Sequence, residues 1–123
     1  MATIELTKDN FEKTVSENPM VIVDFWAPWC GPCRGFAPVY ENASEKHTDV
    51  VFAKVNTDEQ QELAGAFGIM SIPTLVVFRD KVILYKEPGA LPGQALEQVI
   101  TQAKALDMAK VHAEIASQKQ NPQ

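Results

Sequence analysis

Apolar residues in this chain fall into two patterns: short continuous runs, and segments in which they recur every three or four positions. Residues 20–26 form a nearly continuous apolar run typical of a buried strand, and residues 50–55 form a second, β-branched run. Residues 32–47 between them have helical spacing, although Pro38 predicts a kink. The apolar face of this helix comprises Phe36, Val39, Tyr40, Ala43 and His47. Strand, helix and strand in this order predict a right-handed βαβ unit with parallel strands.

Further elements are predicted on either side of this unit. After a short stretch at residues 4–6, Thr7 or Asp9 is expected to cap a helix that ends near residue 16. Residues 59–67 are predicted to form a short helix. A last helix is expected to begin near Pro92, because proline is favoured in a first turn. Its apolar stripe comprises Leu96, Val99, Ile100, Ala103 and Leu106.

Two short strands, at residues 74–78 and 82–85, are separated by hairpin spacing, which requires an antiparallel pair. Lys81 in the connection disfavours a turn that needs positive φ, since glycine adopts that conformation most readily. Together with the parallel unit, the hairpin predicts a mixed sheet. The expected class is α/β, with helices on both faces of the sheet.

We divide the chain after the last predicted helix and expect one domain at residues 1–107, followed by an extension at residues 108–123. Met108, Val111 and Ile115 continue a helical period in the extension. This pattern allows a helix that docks on the body or on a partner. The stripe is thin and the last residues are polar, so we expect a frayed tail instead.

Charge and composition exclude several classes of protein. The chain has 123 residues, a single-domain size, and its 16 acidic and 11 basic residues give a net charge of −5. An acidic chain does not favour a nucleic-acid partner. No apolar run approaches the length of a membrane span, and the charged N-terminal segment does not resemble a signal peptide. We therefore expect no nucleic-acid or membrane binding and a cytoplasmic location.

The two cysteines, Cys30 and Cys33, lie where the first strand of the βαβ unit turns into its helix. A helix N-terminus favours a thiolate, which makes Cys30 the candidate nucleophile, and the spacing allows the two sulfurs to bond. A zinc site completed by His47 or His112 is an alternative, but both histidines are isolated whereas structural zinc sites pair their ligands. A purely structural disulfide is a second alternative.

The segment Phe25-Trp26-Ala27-Pro28-Trp29-Cys30-Gly31-Pro32-Cys33 resembles the active site of the thioredoxin family. The resemblance runs from about Thr3 to Leu106. It implies the thioredoxin fold, a central mixed five-stranded sheet flanked by helices. It also implies a protein disulfide reductase that acts by dithiol-disulfide exchange, with Cys30 as nucleophile and Cys33 as resolving thiol. The redox-active disulfide Cys30-Cys33 would then replace any bound cofactor or metal. The implied partners are disulfide-containing target proteins and a thioredoxin reductase, with the chain acting as a monomer.

Asp24 interrupts the first apolar strand and is expected to be buried, because a parallel strand in this architecture is covered on both sides. Burial should raise its pKa and suit it to accept a proton near neutral pH. The resemblance implies that Asp24 takes the proton of Cys33 through a water. The resemblance also implies that Lys54 is a cation near Asp24 that modulates it. The local sequence around Lys54, however, favours an ordinary surface lysine.

The isomer of the bond before Pro73 is not decided by the sequence. The resemblance implies a cis-proline that faces the cysteine pair and leaves the Ile72 backbone free to pair with an extended substrate. It further implies a shallow apolar docking patch around Cys30, formed by Trp29, Gly31, Pro32, Ile72, Pro73, Gly89 and Ala90.

Two other functions remain as alternatives. A disulfide oxidase or isomerase on the same fold is disfavoured by the Gly31-Pro32 dipeptide and by the lack of an export signal. A non-catalytic interaction module is disfavoured because both cysteines occur together with Asp24. An insulin-reduction assay separates all three.

Overall fold

The computed structural model describes residues 2–120, which form five strands and five helices. The strands are β1 (Thr3–Glu5), β2 (Met20–Trp26), β3 (Val51–Asn56), β4 (Thr74–Arg79) and β5 (Val82–Pro88). The helices are α1 (Phe11–Glu17), α2 (Gly31–Lys46), α3 (Gln61–Ala66), α4 (Gly93–Ala105) and α5 (Met108–Gln120). The predicted order of elements is confirmed from β1 to α4, and α2 continues through Pro38.

The strands form one mixed sheet in the order β1-β3-β2-β4-β5. Strands β1, β3 and β2 are parallel to one another, as the βαβ unit predicts. Strand β4 runs antiparallel to β2, and β5 runs antiparallel to β4, as the hairpin predicts. Asp80 and Lys81 in the hairpin turn have φ of 50° and 69°. The expectation that Lys81 avoids positive φ is therefore wrong. The tight connection between two paired strands imposes the left-handed conformation on both turn residues.

Two apolar layers cover the two faces of the sheet. One layer lies under α2 and α4 and comprises Met20, Ile22, Phe36, Tyr40, Ala43, Val50, Phe52, Leu75, Val77, Leu96, Ile100 and Ala103. The other lies under α1 and α3 and comprises Leu6, Phe11, Val15, Val21, Val23, Phe25, Ala53, Val55, Ala64, Val76 and Phe78. Successive residues of β2 alternate between the two layers, which explains why this strand is almost entirely apolar.

Two predicted helix boundaries differ from the structure. The residue before α1 is Asn10, not Thr7 or Asp9, and its side chain does not cap the helix but accepts a hydrogen bond from the Thr7 N–H. At the other end of the chain, Leu106 is 44% exposed and follows α4 instead of extending its apolar stripe. A cap competes with other local hydrogen bonds of the same side chain, so its position is decided by the folded loop.

The expected frayed tail is wrong for residues 108–120, because these residues form α5. The Asp107 carboxylate accepts hydrogen bonds from the N–H groups of Ala109 and Lys110, at 3.0 and 3.3 Å, and so caps the helix. Met108 is buried, and His112 lies 3.4 Å from Asp80. The docked-helix alternative is the correct one. Residues 121–123 of the extension lie outside the described residues.

The contact between α5 and Asp80 places this helix at one particular end of the sheet. Asp80 follows β4, and β4 runs antiparallel to β2. The hairpin turn therefore lies beside the beginning of β2, whereas Cys30 follows the end of β2. As a result, α5 and the cysteine pair lie at opposite ends of the sheet. Among residues 2–120, no helix is long and apolar enough to cross a membrane.

Candidate functional site

The cysteine pair lies at the N-terminus of α2, just beyond the end of β2. Cys30 is the residue before the helix, and Cys33 in its first turn donates its backbone N–H to the Cys30 sulfur at 3.2 Å. The two residues form a disulfide with their Cα atoms 5.2 Å apart. After reduction, the same N–H and the free N–H groups of the first turn would stabilise negative charge on Cys30. This arrangement favours Cys30 over Cys33 as the thiolate.

The segment that ends in Pro73 approaches the disulfide from the other side. The Ile72–Pro73 peptide bond is cis, and the Ile72 carbonyl oxygen lies 3.7 Å from the Cys30 sulfur. The Pro73 carbonyl accepts a hydrogen bond from the Gly89 N–H at 2.8 Å. Gly89 has φ of +106°, which favours glycine at this position. The predicted proline isomer and its position facing the cysteines are therefore confirmed.

The surface around Cys30 is built from three separate segments of the chain. Trp29 is 67% exposed, although Cys30 itself is only 4% exposed. Gly31, Pro32, Gly89 and Ala90 are exposed as well, while Ile72 is half-buried against the cysteines and Pro73 is buried. Ile72 therefore lies against the cysteines, and Gly89 is bonded to the neighbouring Pro73, while the docking role of the whole set stays a prediction.

Asp58 belongs to this surface and was missed by the sequence analysis. Its carboxylate accepts hydrogen bonds from the Trp29 indole N–H, at 3.0 and 3.2 Å to the two oxygens. A weak signal was available, because Asp58 follows β3 and the carboxyl ends of parallel strands meet at the same edge of a sheet. This bond holds the exposed indole in one orientation beside Cys30.

Asp24 lies inside the protein on β2, with 1% of its surface exposed. Burial raises the pKa of this carboxyl to about 7, an effect that the positive charge of Lys54 opposes and the negative charge of Glu5 reinforces. Its Oδ1 atom has no hydrogen-bond partner among residues 2–120. The predicted burial and the predicted direction of the pKa shift are both confirmed.

Lys54 lies next to Asp24 across the sheet, since the two are register partners on β3 and β2. Its Nζ atom is 4.5 Å from the centroid of the Trp26 ring, and the side chain is half-buried. The interpretation as an ordinary surface lysine is therefore wrong, because the folded sheet brings Lys54 beside a buried carboxyl. Trp26 also packs against the cysteine pair, so the disulfide, the indole and the ammonium form one continuous group.

Neither histidine completes a metal site with the cysteines. His47 is at the far end of α2, where its Nε2 lies 2.6 Å from Glu97 and its Nδ1 lies 2.9 Å from the Lys104 ammonium. His112 is on α5 at the opposite end of the sheet. Among residues 2–120, no cluster of three or more histidine, cysteine, aspartate or glutamate side chains could hold a metal ion.

Together, a cysteine pair at a helix N-terminus, a cis-proline facing it and a mixed sheet beneath define a thiol-disulfide oxidoreductase. The thioredoxin family model matches residues 2–102. A putative thioredoxin 2 of Streptomyces coelicolor is 56% identical over 117 residues, which cover 95% of this chain and 87% of that protein. A thioredoxin of Bacillus subtilis is 42% identical over 101 residues, covering 81% of this chain and 96% of that one.

Solved structures agree with these sequence relatives. A mutant thioredoxin of Halobacterium salinarum has a TM-score of 0.79 and 35% identity, covering 85% of this chain and 93% of its own. A Plasmodium falciparum thioredoxin has a TM-score of 0.75 and 39% identity, covering 81% and 97%. The chain belongs to the thioredoxin family. It is a protein disulfide oxidoreductase whose cysteine pair works by dithiol-disulfide exchange.

Proposed function

We propose that Cys30 is the attacking thiolate and Cys33 the resolving thiol in the reduction of protein disulfides. The Cys30 thiolate attacks one sulfur of the target disulfide, that bond breaks, and the other target sulfur leaves as a thiolate. Cys33 then loses its proton and attacks the Cys30 sulfur. The Cys30-Cys33 disulfide forms and the second target thiolate leaves. The observation that carries this assignment is the Cys33 N–H pointing at the Cys30 sulfur.

In this proposal Asp24 is the base that takes the Cys33 proton, through a bridging water. A pKa of about 7 lets Asp24 accept a proton in one step and release it after the disulfide closes. Lys54 supplies the neighbouring positive charge that keeps this pKa from rising further. Both roles are supported by the shared face of β2 and β3 that Asp24 and Lys54 occupy beneath α2.

We further propose that the surface around Cys30 binds an extended segment of the target. The Ile72 backbone would pair with that segment, while the exposed ring of Trp29 would cover its apolar side chains. The other contributing residues are Gly31, Pro32, Pro73, Gly89 and Ala90. A flat apolar surface with backbone pairing suits many targets, because main-chain hydrogen bonds do not select a particular sequence.

The remaining properties follow from this mechanism as proposals. Members of the thioredoxin family act on disulfide-containing proteins and are reduced by thioredoxin reductase, and we propose the same partners here. Both cysteines lie in one turn of one chain, so the chain would act as a monomer without a bound cofactor. A reducing compartment would keep the dithiol available, which suits the cytoplasm. We assign the catalytic unit to residues 1–107 and treat residues 108–123 as an added segment.

Trapping experiments test the two cysteine roles. Cys33→Ser should still attack a target disulfide and should accumulate a mixed disulfide through Cys30, whereas Cys30→Ser should lose insulin reduction altogether. Mass spectrometry of the trapped species identifies which cysteine carries the target. Accumulation in Cys30→Ser and not in Cys33→Ser would reverse the assignment.

A further inference from the structure

Glu5 belongs to a row of three charged side chains that crosses the sheet beside the cysteine pair. Glu5 on β1 is the register partner of Lys54 on β3, and Lys54 is in turn the register partner of Asp24 on β2. Register partners on neighbouring strands project from the same face of a sheet, and neighbouring strands lie about 5 Å apart. The row therefore places Lys54 between two carboxylates.

This row runs from solvent into the interior beneath α2. Thr3, two residues before Glu5, donates its hydroxyl to Glu41 of α2 at 2.6 Å. Residues two apart on a strand share a face, so Glu5 also lies on the α2 side of the sheet. Glu5 is exposed at the edge of the sheet, whereas Asp24 is 1% exposed. A charge on Glu5 is hydrated, while a charge on Asp24 depends on its protein neighbours.

The positive charge of Lys54 acts on both carboxylates, although its ammonium is bonded to neither. It lies over the Trp26 ring and, in the part of the chain that the structure describes, forms no ion pair with Glu5 or Asp24. Its charge lowers the pKa of both carboxyls, while Glu5 raises the pKa of Asp24. Burial and the nearby Glu59 both raise the pKa of Glu5, burial more strongly. Lys54 and Glu5 thus act on Asp24 in opposite directions.

Besides Glu59, two titratable groups on α2 lie near this row. The Tyr40 hydroxyl is placed to donate to the Ile22 and Ala53 carbonyls, at 2.9 and 2.8 Å, and burial raises the pKa of Tyr40 well above its ordinary value, so it stays neutral. Glu41 is bonded to Thr3 at the beginning of β1. The residues of α4 that cover this face of the sheet are apolar, namely Leu96, Ile100 and Ala103.

From this geometry we propose that Glu5 is a positioning residue for the buried base, acting on Asp24 through the Lys54 charge that the two carboxylates share. The inference rests on the role of Asp24 proposed above. Ionised Glu5 attracts the Lys54 ammonium and repels a second negative charge in the row, so Asp24 holds a proton more readily. Without Glu5, Asp24 would be ionised at lower pH and would be a weaker acceptor for the Cys33 proton.

The test is to titrate the Asp24 carboxyl in the full-length chain by carbon NMR, with and without Glu5→Gln. We expect the midpoint to fall by about half a pH unit, the effect of one screened charge at roughly 10 Å. Glu114→Gln is the matched control, because it removes the same charge from α5 at the opposite end of the sheet. Its expected shift is about 0.1 unit or less, because solvent and salt screen distant charges. Glu5→Asp should restore most of the original midpoint.

The outcomes separate this inference from the proposed role of Asp24. An Asp24 midpoint that stays unchanged in Glu5→Gln, or moves equally in Glu114→Gln, overturns the inference. In a Lys54→Met background, Glu5→Gln should move the midpoint less than in the native chain, and an undiminished shift would exclude action through Lys54. The pH dependence of mixed-disulfide release should shift with the midpoint. A midpoint that moves while Asp24→Asn leaves release unchanged supports Glu5 and removes Asp24 as the base.

Discussion

At the end of the sheet that carries the cysteines, two buried polar atoms, Asp24 Oδ1 and Trp26 Nε1, have no hydrogen-bond partner among residues 2–120. At the opposite end of the sheet, charged side chains have hydrogen-bond partners. There the Arg79 guanidinium donates to three carbonyls at the end of α4, those of Ala103, Lys104 and Leu106, at 2.9 to 3.1 Å. His112 on α5 lies beside Asp80 in the hairpin turn.

The difference shows where this fold gives up stability. A buried polar group without a partner costs about 1–3 kcal/mol, and an ionised one costs more. Asp24 and Trp26 lack such partners at the end of the sheet where a proton must move. The third such atom among residues 2–120, Glu41 Oε2 on α2, belongs to a carboxylate whose other oxygen accepts a hydrogen bond from Thr3, and none of the three lies in the hairpin turn. Substitutions at the cysteine end should therefore change activity while sparing or improving stability. Substitutions at the hairpin end should do the reverse.

The largest expected effect comes from Asp24→Asn. The pKa of Asp24 is about 7 in the folded protein against an ordinary value of 3.8, so ionisation above neutral pH works against folding by on the order of 4 kcal/mol. Because the folded pKa is raised, this penalty is absent below pH 4, where Asp24 is protonated in both the folded and the unfolded chain, and it grows as the pH rises towards 7. We expect the variant to be more stable than the native chain at pH 8 and no more stable at pH 4, measured by urea denaturation.

The same variant should release mixed disulfides at least about tenfold more slowly at pH 7, because Cys33 loses its proton acceptor. Rapid-quench kinetics on a disulfide peptide measure that step directly. Unchanged kinetics with lowered stability would show that Asp24 is a structural residue, and the comparison between the two ends would fail.

Arg79→Met should produce the opposite result. Loss of the guanidinium leaves the last carbonyls of α4 without their donor, which we expect to lower the free energy of unfolding by about 2 kcal/mol. Insulin reduction at a temperature well below unfolding should stay within about twofold. Lys110→Met, which removes an exposed cation from α5, is the matched control and should change neither quantity. A tenfold loss of activity in a folded Arg79→Met variant would show that the hairpin end of the sheet also contributes to activity, which contradicts the comparison.

Asp58→Ala should weaken target docking by a smaller amount. The Trp29 indole loses its carboxylate partner and its fixed orientation, so we expect kcat/KM for insulin reduction to fall about threefold. Stability should change little, because Asp58 is exposed. Asp9→Ala removes a charge from a neighbouring loop as a control. An equal fall in both variants would assign the effect to net charge instead of to Trp29.

Truncation after Asp107 should have the smallest effect on activity. The shortened chain loses the buried Met108 and the contact of His112 with Asp80, so we expect a stability loss of about 1–2 kcal/mol. Insulin reduction should remain within about twofold of the intact chain, because α5 lies at the end of the sheet opposite the cysteines. A loss of tenfold or more, with the fold verified by circular dichroism, would give α5 a direct part in function.

α5 also shows how a correct signal can be given too little weight. The spacing of Met108, Val111 and Ile115 is helical, and only the thinness of the stripe points to a frayed tail. Asp107 was the missing start signal, since an aspartate before a periodic segment is a typical N-cap. The relative from Streptomyces coelicolor aligns over 117 of the 123 residues, so its similarity extends into α5 as well.

The sequence by itself determined the order of elements from β1 to α4, the mixed sheet, the chemistry of Cys30 and Cys33 and the burial of Asp24. Each of these depends on local periodicity, on spacing or on a short motif, which the chain carries in neighbouring residues. Only the tertiary structure decided that Glu5, Lys54 and Asp24 form one row, that Asp58 holds Trp29 and that Arg79 caps α4. Periodicity shows which face of a strand or helix is buried. The residues that meet across that face are set by strand register and layer packing, which join parts of the chain far apart in sequence.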